Sequence, residues 1–243
     1  MSHESELFQP CQPTELISAA DSLPAQLRRE LAAEWSLAAQ FEHASIASFG
    51  RFALELLALA APPQLVAAAH QAALDEIRHA QWCFGLASVY AKTSLGPGAL
   101  AIDPSAFGQF ELHGAVRAAV LEGCVGETLA AQEAEYASAL CRIPAISATL
   151  SAIAREESAH AALAYRFVSW ALHSHGPALQ VTVDAAFASA RQSMHALEPP
   201  PRAADSDAWT AHGRLSQAER YAVRMRALHE LVDPLARELT RGA

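Results

Sequence analysis

The sequence predicts an all-α fold, and three observations support that prediction. Apolar residues recur at helical spacing through most of the 243 residues, and alanine, the strongest helix former, is abundant. No segment alternates apolar and polar residues as a half-buried strand would. Clusters of proline and glycine interrupt the helical pattern at intervals, at 61–63, 94–98, 176–177 and 198–201.

These interruptions divide the chain into helical segments. The first four helices are expected at 23–60, 63–92, 109–141 and 144–174, with Ser22 and Pro24 as start signals for the first. Residues 95–108 have no helical period and are numerous enough for a crossover along a four-helix bundle. Two further helices follow at 177–197 and after 216. We therefore expect an irregular segment at 1–22, a bundle at 23–176 and a helical extension packed on it at 177–243.

Composition excludes several classes of protein. Hydrophobic residues make up 52% and charged residues 18%, which is typical of a folded chain. The net charge of −9 argues against a nucleic-acid partner, and the most basic stretch, 214–226, is interpreted as a solvated helix face. No segment reads as a membrane span or signal peptide, and the four cysteines form no CxxC pair. The expected location is the cytoplasm.

Two copies of a Glu-x-x-His motif point to chemistry. Residues three apart lie on one face of a helix, so each carboxylate and imidazole can reach the same point. Pro63 precedes the first motif's glutamate, and Pro144 the second's, by the same 13 residues, which indicates a duplicated helical hairpin. The motifs are Glu76 with His79 and Glu157 with His160.

The remaining helices supply one carboxylate each. Glu42 lies 34 residues before the first motif. The third helix offers Glu122, 35 residues before the second motif, and Glu127, 30 before it. Repeat symmetry favours Glu122, with Glu127 left as an alternative or additional ligand, because in an α-helix two residues five apart point about 140° apart.

Metal explains this set better than buried unpaired acids do. Four carboxylates and two neutral imidazoles carry −4, which two divalent ions balance, whereas unpaired buried carboxylates cost several kcal/mol each. Mixed oxygen and nitrogen ligands suit iron, and manganese shares them. Asp75 and Glu156 each precede a motif, and we predict that Asp75 orients His160 and Glu156 orients His79 across the bundle.

The set Glu42, Asp75-Glu76-x-x-His79, Glu122 and Glu156-Glu157-x-x-His160 resembles the ferritin-like di-iron carboxylate superfamily. The resemblance covers roughly residues 25–175. The third-helix segment 121–127 is similar to that of the tRNA hydroxylase group, which also has two glutamates five apart. The resemblance implies two iron ions that activate O2 or peroxide.

The expected function is a di-iron oxidoreductase that oxidises or hydroxylates a small or carrier-bound organic substrate. The alternative is a ferroxidase or peroxide-scavenging metal-handling protein of the ferritin-rubrerythrin type. Neither the substrate, the electron donor nor the oligomeric state follows from the sequence, and a homodimer is left open. Four further side chains are candidates for lining the pocket: Phe41, Phe49, Cys83 and Cys124.

Overall fold

The computed structural model describes residues 14–102, 110–176, 178–201 and 206–241, and all regular secondary structure within these residues is helical. The predicted all-α class is therefore confirmed for the described part of the chain. Among the described helices, none is both long and apolar enough to span a membrane.

Two of the long helices begin at a proline. Helix α3, Pro63–Ala91, and helix α6, Pro144–His175, each carry proline in the first turn, where its missing N–H would have no intrahelical partner. Helix α3 ends at Ala91, and the next residue, Lys92, adopts the left-handed conformation with φ 57°. The preceding long helix is α2, Ala25–Ala58, and it pairs with α3.

The third long helix of the sequence is not a continuous α-helix. Helix α4, Leu112–Ala118, passes into a π-helical segment, Ala119–Glu127, which continues as helix α5, Thr128–Leu140. A π segment this long is unusual, and π turns inside α-helices are frequent at functional sites. Helix α5 and the π segment pack against α6, which also contacts α3.

The shorter helices cover the ends and sides of this core. Helix α1, Thr14–Asp21, contacts α3, and helix α7, Ala178–His195, contacts the π segment and α4. The remaining helices are α8, Ser206–Ala211, and α9, Gln217–Ala227, which continues through a second π segment, Leu228–Val232, into α10, Asp233–Arg241.

Two expectations from the sequence need correction or fall partly outside the described residues. The sequence predicts an irregular segment over 1–22. This prediction is wrong for Thr14–Asp21, which is helical and buries Leu16 and Ala20. The first 13 residues of that segment are not among those described. The predicted crossover is without helix or strand at 95–102, and its residues 103–108 lie outside the described part.

The apolar core consists of two clusters separated along the long helices. One contains Phe49 and Leu56 of α2 with Leu163 and Phe167 of α6, and the other contains Trp35 and Ala39 of α2 with Ile153 of α6. Along α3 and α6, the residues of the two Glu-x-x-His motifs lie between the positions that contribute to one cluster and those that contribute to the other. Apolar packing on both sides thus fixes the helices at the level where the charged residues meet.

Candidate metal centre

Six side chains from the four long helical stretches converge in the space between the clusters. They form two groups of four residues. Within each group, one donor atom from every residue lies within 4.8 Å of the others. Both groups share Glu76 of α3 and Glu157 of α6. The first group is completed by Glu42 and His79, and the second by Glu127 and His160.

The separations between donor atoms fit neighbouring ligands of one ion. His79 Nδ1 lies 3.1 Å from Glu157 Oε1 and 3.5 Å from Glu76 Oε2. His160 Nδ1 lies 3.2 Å from Glu76 Oε1 and 3.3 Å from Glu157 Oε2. Adjacent ligands of an octahedral ion with bonds of about 2.1 Å stand roughly 3 Å apart. The donor separations in each group are therefore those of a cluster that could hold a metal ion.

Two atoms in this cluster are buried without a hydrogen-bond partner. They are His79 Nδ1 and Glu76 Oε2. The His79 side chain is fully buried, and Glu76 is 1% exposed. Leaving a buried polar atom unsatisfied costs about 1–3 kcal/mol, and more for a charged group. Both atoms belong to the set of converging donors, so a cation there would satisfy them.

The outward nitrogens of both imidazoles meet carboxylates from the opposite helix. His79 Nε2 of α3 lies 2.8 Å from Glu156 Oε2 of α6, and His160 Nε2 of α6 lies 3.3 Å from Asp75 Oδ2 of α3. This is the crossed arrangement that the sequence predicts. An imidazole that donates Nε2–H to a carboxylate keeps the Nδ1 lone pair directed at the centre.

One arginine joins the two outer carboxylates and was not singled out from the sequence. Arg78 Nη2 donates to Asp75 Oδ1 at 2.6 Å and to Glu156 Oε1 at 2.9 Å, so it links α3 to α6. Gln71 Nε2 also donates to Asp75 Oδ1, at 2.8 Å. The signal was present in the motif itself, since Arg78 lies three residues after Asp75, the spacing of a helical ion pair.

The structure brings Glu127 rather than Glu122 to the converging donors. Glu122 belongs to neither group and is exposed, so the geometry favours Glu127, the alternative that the sequence left open. Both residues lie in the π-helical segment, whose i→i+5 hydrogen bonds place residues five apart about one turn above each other, so the α-helical angle of about 140° does not apply. Both therefore line the smaller cavity, but only Glu127 lies at the level of the other donors.

Three carboxylates of the donor set differ strongly in pKa. Burial raises the pKa of Glu42 to about 8, helped by the charges of Glu157 and Glu76 and opposed by His79. Burial and its contact with Glu157 also raise the pKa of Glu127 well above the usual value. Burial opposes ionisation of Glu157, yet its contacts with His160 and His79 hold its pKa well below the usual range.

Both imidazoles are held in the charged form by these carboxylates. Burial alone would lower the pKa of His160, but its contacts with Glu157 and Glu76 raise it to about 10. The pKa of His79 is raised further by Glu157, Glu42 and Glu76, again against burial. Without metal, protons thus compensate the acidic charge, and bound metal would replace them.

Aromatic rings enclose the imidazoles. Phe49 meets His160 edge-on with ring centroids 4.9 Å apart, and Trp82 stacks on His79 at 5.9 Å. The rings limit the access of water to the buried donors.

Two cavities open onto the cluster. The smaller, about 140 Å³, is lined by Phe49, Glu122, Glu127 and His160, and by the ion pair of the partly exposed Arg51 with the buried Glu55 (2.9 Å). The larger, about 320 Å³, is lined by four carboxylates of the donor set: Glu42, Glu76, Glu127 and Glu157. Both cavities therefore adjoin the candidate metal centre.

Three of the four candidate pocket residues line these cavities. Phe41 and Cys83 line the larger cavity and Phe49 the smaller one. Cys124 lines neither of them; it is fully buried in the core cluster beside Val120, and the expectation that it lines the pocket is corrected. Its carbonyl oxygen accepts a hydrogen bond from Thr128 Oγ1 at 2.7 Å.

Arginines from the C-terminal extension also line the larger cavity, contrary to the interpretation of 214–226 as a solvated face. They are Arg214, Arg220 and Arg224. Spacing along α9 would place Arg220 and Arg224 on one face, but nothing in the sequence indicates that this face meets the bundle.

Comparison of the chain with protein-family models, with curated proteins and with solved structures finds no significant match.

Proposed function

We propose that this chain is a ferritin-like di-iron oxidoreductase that uses O2 or peroxide to oxidise or hydroxylate a small or carrier-bound organic substrate. The observation that supports it is the pair of donor groups sharing Glu76 and Glu157, each completed by one imidazole and one further carboxylate. This is the ligand inventory of di-iron carboxylate bundles.

In this proposal the six residues divide into shared and separate ligands. Glu76 and Glu157 would contact both ions, Glu42 with His79 would hold one, and Glu127 with His160 would hold the other. Four carboxylates balance two divalent charges. Iron bound by such ligands supplies redox chemistry toward O2 that no side chain provides.

The residues around the ligands have their own tasks. Glu156 and Asp75 fix the tautomer and orientation of the imidazoles, and Arg78 holds those two carboxylates in place. Phe49 and Trp82 restrict water around the site. The larger cavity admits a substrate to the carboxylate side of the cluster. The free thiols Cys83 and Cys124 fit a reducing compartment, and the cytoplasm remains the location we expect.

The size and lining of the larger cavity favour oxidation of an organic substrate over iron handling. A ferroxidase needs a passage for a hydrated ion, whereas this cavity of about 320 Å³ has an apolar wall that includes Trp35, Phe41 and Ile153. Multiple Fe(II) oxidised per chain in air, together with a large multimer in light scattering, would favour the metal-handling alternative.

Metal binding tests the proposal directly. Metal-free protein loaded anaerobically with Fe(II) and desalted should retain two ions per chain. Glu76→Gln should abolish retention of both ions because this carboxylate belongs to both groups. Glu230→Gln, at an exposed position remote in the chain from the motifs, is the control and should retain both. Substoichiometric iron in the unaltered chain, unchanged by Glu76→Gln, would refute the proposal.

A further inference from the structure

The larger cavity has a basic part as well as an acidic one. The bundle contributes the four carboxylates of the candidate metal centre, and the C-terminal segment contributes Arg214, Arg220 and Arg224. Three guanidinium groups on a cavity wall are unusual, because charged groups facing a confined space lose hydration and require compensation.

The compensation by neighbouring carboxylates is incomplete. Glu34 lies 3.3 Å from Arg220 and 3.7 Å from Arg214, and Glu133 lies 3.5 Å from Arg220 and also binds Arg224. Two carboxylates therefore face three guanidinium groups. The basic part of the cavity carries one positive charge in excess.

Hydrogen-bond donors are also in excess there. Trp35 Nε1 and Arg214 Nε are buried and have no hydrogen-bond partner, whereas Arg220 Nε, which makes no hydrogen bond either, lies 3.5 Å from Glu133 Oε2; all three residues line this cavity. In the part of the chain that the structure describes, these are half of the six buried side-chain atoms without a partner. A carboxylate offers two oxygens with about four lone-pair sites, so it can accept from both unpaired donors, Trp35 Nε1 and Arg214 Nε.

The chain holds Arg214 in place through a fixed turn. Gly213 has φ 75°, and a Cβ there would lie 2.5 Å from Ile146 Cγ2, so only glycine fits. Tyr90 Oη lies 2.8 Å from His212 Nδ1, and the Arg214 guanidinium lies 4.8 Å from the centre of the Trp35 ring. These donors are ordered before any ligand arrives, which lowers the entropic cost of binding.

The remaining wall is apolar. Small residues of α5, Ala130 and Ala134, leave the space open, and Phe41, Leu150 and Ile153 complete the lining. The cavity thus combines two unpaired donors and, in its basic part, one positive charge in excess with an apolar surface that leads to Glu127 and Glu157.

We propose that the larger cavity binds a substrate that carries a single carboxylate on an apolar chain or ring. The carboxylate lies among Trp35, Arg214 and Arg220, and the apolar part extends toward Glu127 and Glu157. The inference rests on the proposed function in one respect: the apolar part is the portion that the candidate metal centre would oxidise.

Calorimetric titration with octanoate as the probe tests this inference without any measurement of turnover. The comparison ligands are 1-octanol, octylamine and octyl phosphate, and both metal-free and iron-loaded protein are titrated. Octanoate should bind at least about tenfold more tightly than 1-octanol, since a hydrogen bond to a charged group is worth that much, and octylamine should bind more weakly than either.

Variants assign the binding to the arginines. Arg220→Met should weaken octanoate binding about tenfold or more and leave 1-octanol unaffected. Arg220→Lys, which keeps the charge and is the milder change for folding, should give an intermediate loss because the planar fork is gone. Arg226→Met is the matched control on the same helix: Arg226 is exposed, stacks on Tyr136 and does not line this cavity, so octanoate binding should not change.

Three results would overturn the inference: equal affinity for octanoate and 1-octanol, octanoate affinity unchanged in both Arg220 variants, or tighter binding of octyl phosphate, which favours a dianion. The iron titration separates this failure from that of the proposed function. If iron is retained at two per chain and octanoate is not discriminated, only the substrate inference fails. If octanoate binds through Arg220 and no iron is retained, only the di-iron proposal fails.

Discussion

Glu156 Oε2 on α6 lies 2.8 Å from His79 Nε2 on α3, so the carboxylate that precedes one motif contacts the imidazole of the other. The reciprocal contact, from Asp75 to His160, is 3.3 Å long. Each imidazole is therefore oriented by the helix that faces it, and the two halves of the site depend on one another.

Loss of the contact between Glu156 and His79 should weaken metal binding without unfolding the chain. Glu156→Gln keeps the shape of the side chain but removes the negative acceptor, and such changes typically lower metal affinity 10–100-fold. Competition with a chelator would measure the affinity, and thermal unfolding followed by circular dichroism would verify the fold. Glu135→Gln, at an exposed position of α5, is the control. Equal affinities for the two variants would show that Glu156 does not support the site.

The two glutamates of the π segment should differ sharply in their effect on metal content. Glu127→Gln removes a donor of the group that contains His160, so about one ion per chain should be lost on desalting. Glu122→Gln alters an exposed side chain outside both groups and should retain two. The reverse order would reinstate Glu122 as the ligand and contradict the placement of the π segment.

Gly213 should tolerate no side chain. Gly213→Ala combines a left-handed backbone with contacts of 2.5 Å to Ile146 and 2.9 Å to Leu150. The backbone conformation alone costs about 1–2 kcal/mol, and overpacking adds about 1–3 kcal/mol. In urea unfolding, the midpoint denaturant concentration should be lower for Gly213→Ala than for the unaltered chain.

Gly50 in the interior of α2 provides the matched control with the opposite sign. A Cβ at Gly50 meets nothing within 4 Å, so Gly50→Ala should raise the free energy of unfolding by about 0.5–1 kcal/mol. Destabilisation by Gly50→Ala equal to that of Gly213→Ala would show that the tight packing at Gly213 is not the cause.

Stability should fall on mild acidification because of His212. Burial lowers the pKa of His212 below its usual 6.5, so the folded protein holds it neutral while the unfolded chain takes up the proton. The stabilising contribution is present above pH 6.5 and is lost as the pH falls below it.

Urea unfolding at pH 7.5 and 5.5 would measure the effect. The free energy of unfolding should decrease less between the two values in His212→Gln, which cannot titrate, than in the unaltered chain. Since other groups also titrate in this range, only the difference between the two proteins is diagnostic, and an identical decrease would exclude His212 as the cause.

Local signals explain why much of the helical architecture could be read from the sequence. The helices predicted at 63–92 and 144–174 are found at Pro63–Ala91 and Pro144–His175, because a proline in the first turn and the residues that end the helix act within a few positions. Helices α1 and α8 were not predicted. Both have at most eight residues, and helices this short depend on packing rather than on propensity.

The sequence by itself determined the donors that depend on spacing along one helix: Glu76 with His79, Glu157 with His160, and the carboxylate of Glu42. Only the tertiary structure distinguished Glu127 from Glu122, because which of them lies level with the other donors depends on how the π-helical segment packs against α6. It also decided that Arg214 and Arg220 face the cavity instead of solvent. The position of Arg220 follows from how α9 packs on α5, a long-range contact with no local signature in the chain, and that of Arg214 from the turn at Gly213 that precedes α9.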